Sequence, residues 1–234
     1  MNEFTRFEML VGEGAVHKIM GSHVAVFGLG GVGSFAVEAL ARCGVGKLTL
    51  IDNDTISLTN INRQLFALHS TLGQKKTEAA KKRVLDINPC CTVITIDEFY
   101  LPDNRDMFFD QKYDYIIDAI DTVTSKIDLA VKCNESGLPL ISSMGTGNKL
   151  NAEMFLVSDI YETHTCPLCR VVRKELKERG IPSLKVVYSP EEIIRPISDL
   201  CEEHGKRQTP ASASFVPPVA GMLLAGEVIK ELMK

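Results

Sequence analysis

The sequence contains no tryptophan, and only 6% of its 234 residues are aromatic. It has no run of interleaved aromatic and basic residues of the kind that stacks the bases of single-stranded nucleic acid. The formal net charge is −4, which disfavours a uniform electrostatic attraction to a phosphate backbone. A nucleic-acid partner would therefore have to be held by a local basic patch.

Long apolar runs are missing as well. The most apolar stretch, residues 216–229, is interrupted by prolines, glycines and a glutamate and is too short to cross a bilayer. The first ten residues, MNEFTRFEML, lack the apolar core of a signal peptide. The seven cysteines, an odd number scattered along the chain, do not indicate the disulfide framework of a secreted protein. We expect a cytoplasmic protein without stable membrane insertion.

The distribution of apolar residues predicts a single α/β domain over residues 1–234. Hydrophobic residues make up 45% and charged residues 24%, as in soluble globular chains. Short buried strands alternate with helices, more loosely after residue 145, which predicts a mostly parallel sheet with helices on both faces. The predicted strands are 24–27, 48–51, 92–96, 113–117, 138–142, 154–157 and 184–188, and the predicted helices are 34–42, 74–86, 125–135, 169–179 and 219–233.

A glycine-rich motif follows the first predicted strand. It reads GLGGVG, and its glycines are Gly28, Gly30, Gly31 and Gly33. Glycines at such a turn let a phosphate approach the backbone, and the N-terminus of the next helix adds partial positive charge. Asp52 ends the next strand, 19 residues after the last glycine, a spacing that suits a carboxylate binding ribose hydroxyls. The motif predicts a nucleotide site but fits NAD and ATP equally well.

Three further motifs separate these two nucleotides: TNINRQ at 59–64, GQKK at 73–76 and DAID at 118–121. The carboxyl ends of parallel strands meet at one edge of a sheet, so motifs placed after successive strands surround one crevice. Arginine and lysine neutralise phosphate charge, and a carboxylate suits Mg²⁺. The set favours a nucleoside triphosphate with Mg²⁺, because a hydride-transferring enzyme has no evident need for it.

With GLGGVGS, DND, NINRQ, GQKK and DAIDT in this order, the sequence resembles the ubiquitin-activating-type superfamily of adenylating enzymes. The resemblance is strong over about residues 6–150 and looser beyond them. It implies the Rossmann-like sheet of ThiF/MoeB-type proteins, with ATP and Mg²⁺ as cofactors. It also implies a nucleotide-binding core at about 20–150 and substrate and dimer elements at about 151–234.

Within this superfamily, the sequence looks most like the branch of tRNA threonylcarbamoyladenosine dehydratases, on the segments TNINRQ, CPLCRVVRKELKERGIP and ASASFVPPVAG. That resemblance implies a homodimer that uses ATP to adenylate the carboxylate of the modified adenosine in tRNA, after which an internal nitrogen closes a ring and AMP leaves. The alternative is an enzyme that adenylates the C-terminal glycine of a ubiquitin-like sulfur-carrier protein. A third hypothesis is a nucleotide-binding sensor without turnover. The sequence leaves open whether a sulfur-transfer partner takes part.

The resemblance assigns roles to five polar residues of these motifs. Asp52 takes the ribose, and Asn60, Arg63 and Lys76 face the triphosphate and the charge that develops on it. Asp121 is the Mg²⁺ ligand. Outside this context, Lys76 would be read as a solvated surface charge, and Asp121 as the cap of the helix that follows it.

The same resemblance assigns supporting roles to three further residues. Arg6 matches an N-terminal arginine that reaches the ATP of the partner subunit, which makes it a candidate catalytic residue. Its place in a terminal segment also suits an ordinary surface role. Asp54 and Gln64 are secondary members of the nucleotide site.

Four residues form a candidate zinc site. Cys166 and Cys169 make a CxxC pair, and Cys201 and His204 follow with CxxH spacing. Thiolates and imidazole suit tetrahedral Zn²⁺. The alternatives are a redox or sulfur-relay pair and ordinary free thiols. In the pattern that we expect of the dehydratase branch, aspartate stands where this sequence has Cys166, and there is no zinc pair.

Basic residues recur at helical spacing after the CxxC pair. They can form a track for tRNA phosphates or a solvated helix face. The residues are Arg170, Arg173, Lys174 and Lys177, with Lys206 and Arg207 further along.

Overall fold

A computed structural model describes residues 1–197 and 210–234 of the chain. These residues form seven strands and seven α-helices. The strands are β1 (His23–Phe27), β2 (Lys47–Ile51), β3 (Thr92–Ile96), β4 (Tyr115–Asp118), β5 (Leu140–Ser143), β6 (Leu156–Asp159) and β7 (Lys185–Tyr188). The helices are α1 (Thr5–Val11), α2 (Glu13–Met20), α3 (Gly33–Arg42), α4 (Lys76–Ile87), α5 (Val123–Ser136), α6 (Pro167–Glu178) and α7 (Val216–Leu232).

The seven strands form one sheet in the order β3-β2-β1-β4-β5-β7-β6. All neighbouring strands are parallel except β6 and β7. Because the strand order reverses direction at β1, a crevice opens outside the carboxyl ends of β1 and β4. This topology confirms the predicted Rossmann-like fold.

Alternate residues of the central strand β1 belong to two separate hydrophobic layers. Val24 and Val26 pack in the layer that contains α3 and α7, whereas Ala25 and Phe27 pack in the layer that contains residues of α5. Neighbouring residues of a strand point to opposite faces. A strand whose five residues are all buried must therefore be covered on both sides, which explains its uninterrupted apolar sequence.

The two N-terminal helices are the main elements that the apolar pattern does not predict. No residue of α1 is buried, Phe7 packs against the core only in part, and Met9 and Leu10 are largely exposed. With seven residues, this helix is too short to show a clear apolar period. All the predicted strands and helices are present, with ends shifted by three residues or fewer. No helix among the described residues has both the length and the apolar character that a membrane span requires.

Glu38 of α3 binds two arginines, Arg42 in the same helix and Arg83 in α4, and so links α3 to α4. Its carboxylate accepts hydrogen bonds from Nε of Arg42 at 2.7 Å and from Nε and Nη2 of Arg83 at 3.0 and 2.9 Å. Burial acts to raise the pKa of Glu38, but the hydrogen bonds from Arg83 and Arg42 outweigh it, and the pKa lies below its usual value. These interactions therefore stabilise the fold above the pKa of the unfolded chain, and the stabilisation is lost in acid.

Glu38→Gln should lower the free energy of unfolding near neutral pH by about 1 kcal/mol, because both arginines lose a charged partner. The difference should shrink as the pH falls through the lowered pKa of the folded state. Urea denaturation near neutral pH and at about pH 3 measures both effects. The control is Glu13→Gln, which removes an exposed contact with His17. A loss for Glu38→Gln that is the same at both pH values would contradict this assignment.

Candidate active site

A cleft of about 1110 Å³ lies at the carboxyl ends of the central strands. Its walls include the turns after β1, β2, β4 and β5, as the crevice rule predicts. Of the twelve residues predicted for the nucleotide site, ten line this cleft. They are Gly28, Gly30, Gly31, Asp52, Asp54, Asn60, Arg63, Gln64, Lys76 and Asp121.

The turn from β1 into α3 has no room for side chains at two of its glycines. Gly28 has a φ of +89°, and a Cβ on it would lie 2.6 Å from the carbonyl oxygen of Ala119. A Cβ on Gly33 would overlap the carbonyl oxygen of Gly28, so this glycine lies behind the turn and supports it. At Gly30, in contrast, a Cβ would meet only Nε2 of Gln64, at 3.9 Å. The backbone of the turn is therefore fixed from behind and open toward the cleft.

Asp52 is held in place by backbone groups of two neighbouring turns. Its carboxylate accepts hydrogen bonds from the N–H of Leu29 at 2.7 Å and of Asp54 at 2.9 Å. The side chain is only 9% exposed. Burial raises the pKa of Asp52, and the charge of Lys76 with the two N–H groups offsets only part of this effect. This carboxylate is fixed beside the glycine turn, where the spacing of the motifs predicts it.

Lys76 opens α4 and lies between two carboxylates. Its Nζ is 3.6 Å from Oδ1 of Asp52 and 2.6 Å from Oδ2 of Asp54. The lysine side chain is 7% exposed, whereas that of Asp54 is 60% exposed. The reading of Lys76 as a solvated surface charge is therefore wrong. The ammonium group faces the cleft, held by a buried acid and an exposed one.

The NINRQ segment supplies an amide and a cation to the same wall. Oδ1 of Asn60 accepts a hydrogen bond from the N–H of Ser57 at 3.1 Å, which fixes the side-chain amide. Nη1 of Arg63 donates to the carbonyl oxygen of Thr59 at 2.9 Å and to Oδ1 of Asn62 at 3.0 Å. These bonds pre-orient the guanidinium group at the cleft, and less entropy is lost when it binds an anion.

Asp121 is an exposed carboxylate at the end of the DAID motif. Helix α5 has Thr122 at its N-cap, with no hydrogen bond from a capping side chain. Oδ1 of Asp121 lies 3.4 Å from the hydroxyl of Thr122, and its described contacts include no backbone N–H of the helix. The alternative role as a helix cap is therefore not supported, and the carboxylate faces the cleft.

Several lining segments carry no sequence signal that places them at the cleft. The loop 143–147 follows β5, residues 98–100 follow β3, and Pro210, Ser212 and Pro217 come from the C-terminal part of the chain. Lys126, which lies beneath the cleft, has no such signal either, because its spacing from the DAID motif matches no recognised pattern. Tertiary packing alone brings these residues to the site.

Arg6 and the predicted basic residues of α6 do not line the cleft of their own chain. Arg6 is exposed on α1 and does not line the cleft. Arg173 donates hydrogen bonds from Nη1 to the carbonyl oxygen of Thr163 at 2.6 Å and to its hydroxyl at 2.9 Å. It therefore braces the turn before α6. Arg170, Lys174 and Lys177 are exposed, and Lys206 and Arg207 lie outside the described residues.

The candidate zinc site is only half described. Cys166 and Cys169 are buried free thiols at the start of α6, whereas Cys201 and His204 lie outside the described residues. A hydrogen bond from the thiol of Cys169, helped by backbone N–H groups, holds the pKa of Cys166 below its usual value despite its burial. Residues 1–197 and 210–234 contain no group of three or more His, Cys, Asp or Glu side chains placed to hold a metal ion. Zinc binding stays a prediction.

A sequence model of the ThiF family matches residues 4–234. The chain is 44% identical to the tRNA threonylcarbamoyladenosine dehydratase of Bacillus subtilis, and the similarity covers 100% of this chain and 96% of that relative. The solved structure of the E. coli tRNA N6-threonylcarbamoyladenosine dehydratase in complex with AMP superposes with a TM-score of 0.90 at 34% identity, over 99% of this chain and 94% of that one. The E. coli enzyme in complex with ATP gives a TM-score of 0.89 at 33% identity, over 99% and 93%.

Gly33→Ala should lower the free energy of unfolding by more than about 2 kcal/mol, because the added Cβ meets backbone that cannot move without opening the turn. The matched control is Gly30→Ala, whose Cβ meets only the end of a flexible side chain. For the control we expect a change within about 0.5 kcal/mol. Urea denaturation of both variants measures the difference. Equal losses would show that the steric constraint does not act where we place it.

Proposed function

The chain belongs to the ThiF family, and from this premise we propose that it is an ATP-dependent tRNA threonylcarbamoyladenosine dehydratase. It adenylates the carboxylate of the modified adenosine, and AMP is released as a ring closes. The observation that carries the proposal is the similarity to a dehydratase of this activity over 100% of this chain and 96% of the relative. The whole length, not the glycine-rich half alone, is shared with enzymes of this activity.

The cleft has the chemistry that ATP requires. The backbone at Gly30 is open for the close approach of a phosphate, with the N-terminus of α3 behind it. Asp52 is fixed by backbone N–H groups beside this turn, as a carboxylate that binds ribose hydroxyls must be. Relatives of this chain have been solved with AMP and with ATP. These residues support a bound nucleotide, and the AMP and ATP complexes of the relative support ATP.

Mg²⁺ fits the donor set of the same cleft. Magnesium usually binds through one or two carboxylates together with substrate phosphates, and it does not need a complete protein cage. Asp121 offers an exposed carboxylate on the cleft wall, and we assign it as the protein ligand. When bound, the metal would neutralise phosphate charge as pyrophosphate leaves.

The side chains act mainly through position and charge. The substrate carboxylate is already ionised near neutral pH, so it attacks the α-phosphorus without a general base. Arg63, Lys76 and the amide of Asn60 face the negative charge that develops on the phosphates, in a cleft where it is screened less than in open water. Pyrophosphate leaves, and a nitrogen of the same substrate then attacks the activated carbonyl and displaces AMP. No enzymic nucleophile is required for this second step, because it is intramolecular.

The proposed function also includes a homodimer and a division of the chain into a nucleotide-binding part and a substrate-binding part. The chain works as a single unit, with the nucleotide held by about residues 20–150 and the substrate and dimer elements in about 151–234. Arg6 lies outside the cleft of its own chain, so its assigned role requires a homodimer in which it reaches the partner's ATP. The exposed Arg170, Lys174 and Lys177 on α6 are candidate phosphate contacts for tRNA.

The direct test is to incubate the protein with ATP, Mg²⁺ and tRNA that carries threonylcarbamoyladenosine, and to measure the digested nucleosides by mass spectrometry. We expect loss of one water from that nucleoside, dependent on ATP and accompanied by AMP. Arg63→Ala, Lys76→Ala and Asp121→Ala should each lower the rate by about 10² to 10³-fold, because the first two remove a positive charge that faces the phosphates and the third removes the ligand of Mg²⁺.

Lys75→Ala is the matched control for Lys76→Ala. Lys75 precedes Lys76 in the chain, but its Nζ pairs with Asp97 at 2.6 Å and its side chain is 53% exposed. The control should therefore keep its rate within about twofold. An unchanged nucleoside, in a protein that binds ATP, would contradict the dehydratase. The leading substrate would then be the C-terminus of a ubiquitin-like sulfur carrier, with bound zinc and a sulfur-transfer partner expected alongside it.

A further inference from the structure

A buried ion pair lies directly beneath the cleft, between Lys126 and Asp118. Asp118 is the last residue of β4, and Lys126 lies in the first turn of α5. Nζ of the lysine is 2.7 Å from Oδ2 of the aspartate, and both side chains are 0% exposed. An ion pair removed from water in this way requires a specific reason, because desolvation of two charges costs about as much as their attraction returns.

Every hydrogen of the ammonium group has an acceptor. Nζ of Lys126 donates to Oδ2 of Asp118 at 2.7 Å, to the carbonyl oxygen of Ser143 at 2.9 Å and to Oγ of Ser142 at 3.2 Å. The hydroxyl of Ser142 in turn donates to Oδ2 of Asp118 at 2.5 Å. One buried cation therefore connects the end of β4 to the end of β5 by directed bonds.

The other oxygen of Asp118 fixes the turn that carries Asp121. Oδ1 of Asp118 accepts the N–H of Ile120 at 3.0 Å. Within the same turn, the N–H of Ala119 donates to the carbonyl oxygen of Phe27 at 2.8 Å, which ties it to the glycine turn after β1. Rotation of the Asp118 carboxylate would release the N–H of Ile120 and with it the path of the chain into Asp121.

We propose that Lys126 and Asp118 are positioning residues for Mg²⁺-ATP, which hold the Asp121 turn and the loop after β5 in fixed positions relative to each other at the edge of the cleft. The proposal rests on the proposed function through the role of Asp121 as the metal ligand. Replacement of a buried ion pair by apolar side chains often leaves stability unchanged or raises it, so stability alone does not account for this pair. What the pair provides is direction, because its bonds fix the turn after β4 and the end of β5 at the same time.

The test is a comparison of ATP affinity with and without Mg²⁺ by calorimetry, below the unfolding transition of every variant. Lys126→Met removes the charge and keeps much of the side-chain volume. We expect it to raise the dissociation constant of Mg²⁺-ATP by about tenfold or more, and that of ATP in the presence of a chelator by less than about threefold. The combination of Lys126→Met with Asp121→Ala should bind Mg²⁺-ATP no more weakly than Asp121→Ala alone, because both changes remove the same interaction.

A matched control separates positioning from loss of stability. Leu176→Ala opens a cavity in α6, at a buried residue that belongs neither to the ion-pair network nor to the cleft lining, and should lower the Tm. It should leave both dissociation constants within about twofold of the unchanged protein. If Lys126→Met does not fold, Ser142→Ala removes two hydrogen bonds of the network and keeps the ion pair, and should weaken the binding of Mg²⁺-ATP selectively by about threefold.

The outcomes distinguish the two proposals. Unchanged affinity for Mg²⁺-ATP in folded Lys126→Met, or in Ser142→Ala where that variant is the one measured, overturns the positioning role. An equal loss with and without Mg²⁺ assigns the pair a structural role and overturns it as well. A protein that binds Mg²⁺-ATP but leaves threonylcarbamoyladenosine in tRNA unchanged contradicts the proposed function. In that case the magnesium-dependent loss still decides the role of the ion pair.

Discussion

The contact between two turns, one after β1 and one after β4, is the constraint on which the cleft depends. A Cβ on Gly28 would lie 2.6 Å from the carbonyl oxygen of Ala119, and the N–H of Ala119 donates to Phe27 at 2.8 Å. The turns thus meet backbone to backbone, with no side chain between them. Because neither can shift without the other, the groups they carry are held at set positions. Pre-organisation of this kind is what a site that works by charge and position requires.

The charges around this contact are balanced before any nucleotide enters. Asp52 is buried and keeps its place through backbone N–H groups, while Lys76 lies between it and Asp54. Asp54 is mostly exposed, so water screens its attraction for the lysine. A phosphate oxygen in the cleft can therefore compete with Asp54 for the ammonium group, while Asp52 keeps the lysine in the site. Lys126 and Asp118 form a second, fully buried pair that takes no part in this exchange.

The similarity of this chain to the dehydratases extends over its whole length and is not limited to the nucleotide-binding half. The glycine turn and DAID motif lie in the first 121 residues, yet the cleft is also lined by residues 143–147, Leu168 and Pro217. The match to the dehydratases includes them, since it spans the whole chain. The CxxC pair at Cys166 and Cys169 is where this chain departs from the pattern expected of that branch.

The sequence by itself determined the sheet, its crevice and most of the polar residues around it. Buried strands leave uninterrupted apolar runs, and a phosphate-binding turn leaves glycines at fixed spacing, so both are readable along the chain. It did not reveal α1, which is too short to show a clear apolar period, or the link between Lys126 and Ser143. Contacts between segments far apart in sequence depend on how helices pack on the sheet, and that packing leaves no local period. Only the tertiary structure decided that Lys76 is buried rather than solvated, that Asp121 faces the cleft rather than capping α5, and that Arg173 braces a turn.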